Sequence, residues 1–128
     1  MSKSSVRTEE APAPFQGAPY SQAIVANGLV FVAGQLGLEP GSPEVVPGGI
    51  GPQTERVFAN LAAILQAAGS SLDQIVKTTV FLRNLDDFGG MNEVYAGRIG
   101  DNPPARSTVE VGRLPAGALV EIEAIALA

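Results

Sequence analysis

The sequence contains no cysteine and no histidine. The chain therefore has no disulfide, no thiolate nucleophile, no imidazole base and none of the usual zinc or haem ligand sets. Positive charge is also scarce: eight Lys and Arg against 13 Asp and Glu give a net charge of −5, with no two basic residues adjacent. Phosphate-driven binding to nucleic acid has no electrostatic footprint here, and an anionic substrate needs a local positive site. Long apolar runs are missing too. No segment approaches the roughly 20 apolar residues of a membrane span, and Met1 to Glu10 holds no apolar run for a signal peptide. The expectation is a cytoplasmic protein that meets neither membrane nor nucleic acid.

What is present suits one domain over residues 1–128, with 1–15 as an extended, partly flexible arm punctuated by Pro12 and Pro14. Apolar residues make up 45% of the chain and charged ones 16%. So few charges cannot cover the surface of a small domain, so apolar patches follow and a homo-oligomer is expected.

In chain order, Val6 to Glu9 reads as an edge strand. Ala23–Val25 and Leu29–Ala33 flank Asn27-Gly28, a type I′ hairpin signal. Gly34-Gln35 then ends the strand, and the glycine admits either close packing or a ligand. Residues 39–52 are loop, rich in Pro and Gly; Gly48-Gly49-Ile50-Gly51 lacks the Lys and Ser or Thr of a phosphate loop. Helical spacing of Val57, Leu61, Ile64, Leu65 and Ala68 predicts a helix from Gln53 to Ala68, closed by Gly69. Ile75 to Leu82 is β-branched and predicts a central strand, in which Lys77 needs a carboxylate partner or a place near an edge. After Asp86-Asp87, the residues Phe88, Met91, Asn92 and Tyr95 lie along one side of a shorter helix that Gly97 or Gly100 ends. Two strands close the chain, Pro103–Val111 and Leu119–Ala126. The order, strand-strand-helix-strand-helix-strand-strand, predicts an α+β two-layer domain: a mixed sheet with two main helices on one face.

The last two strands carry the chemistry. With period two, Arg106, Thr108 and Glu110 share one side of their strand. In the next, Glu121 and Glu123 alternate with the apolar Val120, Ile122, Ala124 and Ala126. A carboxylate there is costly to bury unless it is paired, hydrogen-bonded or protonated. The sheet face away from the helices is expected to carry Arg106, Thr108 and Glu121. Arg106 enters stiffly behind Pro103-Pro104 and suits a carboxylate held bidentately; a salt bridge to Glu110, Glu121 or Glu123 is the competing reading. Tyr20 after Pro19 is either a packed aromatic or a pocket wall, and Asn92 either bridges backbone or meets a ligand. Arginine, glutamate and water together make hydrolytic machinery that needs no metal or cofactor.

Over nearly its full length the chain resembles the Rid (YjgF-like) family, most of all its reactive-intermediate deaminase (RidA) branch. The resemblance lies in Ala18-Pro19-Tyr20-Ser21-Gln22-Ala23, Ala33-Gly34-Gln35, Gln53-Thr54, Ala67-Ala68-Gly69 and Val76-Lys77-Thr78-Thr79-Val80-Phe81. It continues through Asp87-Phe88, Asn92 to Tyr95, Pro104-Ala105-Arg106-Ser107, and Leu114-Pro115 on to Val120-Glu121-Ile122-Glu123-Ala124-Ile125-Ala126. It implies a chorismate-mutase-like fold assembled as a homotrimer, sheets facing the centre and ligand sites between subunits. It also implies hydrolysis of 2-imino acids such as 2-iminopropanoate and 2-iminobutanoate to 2-keto acids and ammonia, without a cofactor. Arg106 would hold the substrate carboxylate and Glu121 the attacking water. Tyr20, Gly34, Asn92 and Thr108 would line the pocket.

Three departures bear on substrate range. Ala33 stands where a serine is often found, Thr108 where a cysteine is common, and the 96–103 connection is short and lacks the usual aromatic pair. A non-catalytic trimer that binds keto acids or amino acids is the alternative. A ribonuclease or translation inhibitor, reported for some relatives, would need positive potential that a charge of −5 does not offer.

Overall fold

The computed structural model describes residues 2–128. One six-stranded sheet carries two helices on a single face. The strands are β1 (Ser4–Val6), β2 (Ala23–Ala26), β3 (Leu29–Leu36), β4 (Ile75–Leu82), β5 (Ala105–Glu110) and β6 (Val120–Leu127). The helices are α1 (Ile50–Ala67) and α2 (Phe88–Ile99). Across the sheet the order is β1-β2-β3-β6-β4-β5, with β4 and β5 parallel and every other pair antiparallel. This is the mixed α+β sheet that the sequence predicts.

The hairpin forms as its turn chemistry requires: Asn27 (φ 52°) and Gly28 (φ 77°) both take left-handed conformations, the geometry of a type I′ turn. The core lies between sheet and helices, where Val30, Val32, Val80, Leu82, Val120 and Ile122 meet Val57, Phe58, Leu61, Ile64 and Leu65 of α1 and Met91 of α2. Glycine closes α2 at Gly100 (φ 90°) rather than at Gly97, which is helical.

Several boundaries differ from expectation for identifiable reasons. Helix α1 begins three residues early because Pro52 falls within its first turn, where proline loses no hydrogen bond. Strand β1 stops at Val6 because the Thr8 amide donates to the Gln22 side chain (2.8 Å), which in turn donates to the carbonyls of Thr8 and Pro12. Gly34-Gln35 does not end β3. The strand continues to Leu36 through a bulge between Val32 and Gln35. Lys77 has no carboxylate partner among the described residues; it sits half-buried in an interior strand and faces away from the helices.

The clearest correction concerns the faces. Parallel pairing sets Arg106 beside Thr78 and Thr108 beside Val80, and both of those β4 residues are buried under the helices. Arg106 and Thr108 therefore face the helix layer, not the open side. Glu121 pairs with Phe81 and Leu36 and does lie on the open face. The polar side of β5 could turn toward the helices because β5 is an edge strand, reached only by α2, so its inner face stays partly wet. Its apolar Val109 is left outward with Phe31 and Leu127, each more than 40% exposed.

Two polar side chains of α1 brace the strands that carry the candidate site. Asn60, fully buried, donates to the carbonyls of Leu36 (3.1 Å) and Leu38 (2.9 Å) and accepts from Arg56. Gln53 accepts the Leu119 amide at 2.9 Å. Asn60→Ala would leave two buried carbonyls without donors, each costing about 1–3 kcal/mol. A loss of about 3 kcal/mol, read as a lower denaturant midpoint at fixed protein concentration, is the expected result.

Candidate functional site

Two grooves contain the residues singled out from sequence, and they open on opposite sides of the sheet. The first lies between α2 and β5. Phe88, Asn92, Tyr95, Ala96 and Ile99 of α2 line it, together with Pro103, Pro104 and Arg106. The Arg106 guanidinium sits 4.6 Å from the Tyr95 ring centre and 5.5 Å from that of Phe88. An arginine stacked this way keeps its hydrogen-bonding edge free.

The platform beneath it is rigid. The Tyr95 hydroxyl shares a 2.6 Å hydrogen bond with Thr78, and Phe58 packs edge-on against its ring at 5.4 Å. Among the described residues Arg106 forms no ion pair. The three glutamates that might have taken it are otherwise placed: Glu121 and Glu123 lie across the sheet, and Glu110 accepts the Leu85 amide at 2.9 Å. On the same side of the sheet, Asn92 Oδ1 and Thr108 Oγ1 are buried with no hydrogen-bond partner among the described residues. Unpaired acceptors at such depth are rare and imply a missing donor.

The second groove, on the open face, is lined by Phe15, Ala18, Tyr20, Ala33, Gly34, Leu36, Pro115 and Glu121. The bulge in β3 lets the Glu121 side chain lie across Gly34: a Cβ built on Gly34 would stand 2.0 Å from Glu121 Oε2. Here the glycine is required by close approach, not by its own dihedral angles. Tyr20 is 44% exposed, and its hydroxyl accepts the Phe15 amide at 2.6 Å, which pins the turn that walls the groove. A turn of the same shape stands opposite. Ala18 donates to Phe15 and Ala118 to Pro115, both at 3.1 Å, around the left-handed residues Gln16 and Ala116. The sequence marks both turns with Gly-Ala after a left-handed residue, a signal not used above, so Phe15 and Pro115 were missed. Phe88 was placed on its helix but not recognised as part of the arginine platform.

Burial, and secondarily the neighbouring charge of Glu123, holds the Glu121 carboxyl above its usual value of 4.5. The consequence for stability has a definite sign. The folded chain binds this proton more tightly than the unfolded one, so stability falls as pH rises from about 4.5 through the raised value and stays lower above it. Glu121→Gln should therefore melt higher than wild type at pH 8, with the gap closing near pH 4; equal gaps at both would contradict this.

Sequence reasoning thus picked residues that the fold gathers into two sets: Arg106 and Asn92 in one groove, with Thr108 on the same face of β5, and Tyr20, Gly34 and Glu121 in the other. One chain cannot bring the sets together. Two copies can, if the α2–β5 edge of one abuts the open groove of the next. Among the described residues no three His, Cys, Asp or Glu side chains cluster as a metal site, and no helix is long and apolar enough to cross a membrane.

A family described as Endoribonuclease L-PSP matches residues 8–128. A RutC family protein of Pyrococcus abyssi is 51% identical over 126 residues, 98% of each chain. The 2-iminobutanoate/2-iminopropanoate deaminase of Rattus norvegicus is 43% identical, covering 95% of this chain and 88% of its own. The crystal structure of RidA from the Antarctic bacterium Psychrobacter sp. superposes with a TM-score of 0.92 at 41% identity, over 98% of this chain and 99% of that one.

Proposed function

The chain belongs to the Rid (YjgF-like) family, and from that premise we propose that it hydrolyses 2-imino acids such as 2-iminopropanoate and 2-iminobutanoate to 2-keto acids and ammonia. The observation that carries this reading is Arg106, a guanidinium held on two aromatic rings with no carboxylate partner among the described residues. It is ready for the carboxylate of a small substrate.

The rest of the reaction follows from the other groups. A protonated imine is already electrophilic, so positioning it beside an ordered water suffices to begin. Glu121, supplied by a second copy of the chain, accepts a proton as water adds to the imine carbon. It returns that proton to the carbinolamine nitrogen, then takes the hydroxyl proton as the C–N bond breaks and the keto group forms, and that proton leaves with the departing ammonia as ammonium. A carboxylate raised by burial is a stronger base than an exposed one. Activity should accordingly rise with pH through the titration of Glu121.

We infer a homotrimer with sheets facing its centre. The apolar open face, with Phe31, Val109 and Leu127 exposed, supports burial against other copies, and the two half-sites require a closed ring. Ribonuclease activity has no support in the charge: the eight basic residues are dispersed and outnumbered by 13 acidic ones. The direct test generates the imine in situ with an amino-acid oxidase and follows its decay. Acceleration by wild-type protein is expected. Binding of 2-oxobutanoate without acceleration would place the chain among non-catalytic keto-acid binders.

A further inference from the structure

A third groove lies beside the Glu121 groove and shares Pro115 with it. Its lining is Arg83, Arg113 and the segment Leu114 to Gly117. Two of the eight basic residues of an acidic chain converge there, no carboxylate lines the groove, and neither arginine forms an ion pair among the described residues. Thirteen acidic residues were available to pair with them. On a chain of net charge −5, a groove lined by two arginines and, among the described residues, by no carboxylate is a local reversal of sign.

The fold fixes where they stand. The Arg83 amide donates to the Leu119 carbonyl at 3.1 Å, extending the β4–β6 register by one residue beyond Leu82 and Val120. Alternation then sets Arg83 on the open face, next after Phe81, which is paired with Glu121. Arg113 enters from β5 two residues before Pro115. The turn that follows, Pro115–Gly117, holds Ala116 at φ 58°, a conformation that costs a non-glycine residue about 1 kcal/mol. The arginines thus flank the mouth of the groove that carries Glu121, on the face where the Arg106 groove does not open.

We propose that Arg83, Arg113 and the Pro115–Gly117 turn form a second anion subsite, which captures the carboxylate of substrate at the mouth of the Glu121 groove before the Arg106 of a second copy takes it. Its substrate rests on the imine-deaminase reading; its existence as a carboxylate site does not. A net negative protein repels a carboxylate at long range, and a local positive mouth reverses that sign over the last Debye length. The effect falls on capture and not on chemistry.

Two measurements test this on the intact protein. Titration of 2-oxobutanoate into Arg106→Ala protein, followed by NMR of the Ala116 and Gly117 backbone amides that line the groove, should give saturable shifts that vanish in Arg106→Ala/Arg83→Gln/Arg113→Gln. In the wild-type background, Arg83→Gln/Arg113→Gln should lower kcat/KM for the imine roughly 3–10-fold at low salt, with the gap closing near 0.5 M salt and kcat moving less than kcat/KM. Shifts that do not saturate, a kcat/KM gap independent of salt, or saturation by inorganic phosphate but not by 2-oxobutanoate would each overturn the proposal. Saturable shifts in a protein without imine turnover would uphold the subsite and remove the deaminase reading.

Discussion

Arg106→Ala is expected to lower kcat/KM for 2-iminobutanoate by about 10²–10³-fold, the equivalent of roughly 3–4 kcal/mol for a bidentate, charge-assisted carboxylate anchor. The platform explains why so much rides on one side chain. Tyr95 is fixed by Thr78 on its hydroxyl and by Phe58 on its ring edge, so the guanidinium above it is already oriented when substrate arrives. Arg106→Lys should recover little, because an ammonium neither stacks on Tyr95 and Phe88 in the same way nor offers two parallel N–H bonds. The fold should survive both changes, since Arg106 is half-buried at an edge strand and makes no ion pair among the described residues. Near-normal turnover by Arg106→Ala in an intact oligomer would remove Arg106 from the reaction.

The second large effect is expected at a residue with no functional group. Gly34→Ala places a methyl 2.0 Å from Glu121 Oε2, a separation no real Cβ adopts, so the carboxylate must swing away. Activity should fall about as far as in Glu121→Ala, on the order of 10²-fold or more for a lost general base. The double variant Gly34→Ala/Glu121→Ala should be no worse than either single one, because both act through one carboxylate. Additive losses would mean that Gly34 contributes by another route. The double variant also separates activity from folding: with the carboxylate gone, the methyl has room and the overpacking cost of about 1–3 kcal/mol disappears.

Much of this was legible in the residues. The Asn27-Gly28 turn, the helical spacing from Val57 to Leu65 and the β-branched run of β4 each carry a local physical signal, and each forms as read. The candidate residues stood out as types: an arginine behind two prolines, and a carboxylate in an apolar strand. What the sequence could not show is which way β5 turns. Its alternation of Arg106, Thr108 and Glu110 with Ser107, Val109 and Val111 reads naturally as polar outside and apolar inside. The structure reverses this, because β5 is an edge strand whose inner face borders a wet groove and whose outer face is apolar. Register, not composition, decides that, and register depends on a parallel pairing with β4 across the whole second helix. The bulge at Gly34 was likewise invisible, since a glycine that ends a strand and one that lets a neighbour lie across it look alike.

The opposite placement of Arg106 and Glu121 leads to the account's central claim, that each site is shared between two copies of the chain. Subunit complementation tests it most directly. Arg106→Ala and Glu121→Ala proteins, each inactive alone, are co-refolded in equal amounts and assayed for imine hydrolysis. In a closed ring about one site in four would then pair an intact Arg106 with an intact Glu121, so the mixture should recover about a quarter of wild-type activity. No recovery, with mixed oligomers demonstrated by mass, would contradict a shared site and return both residues to separate roles.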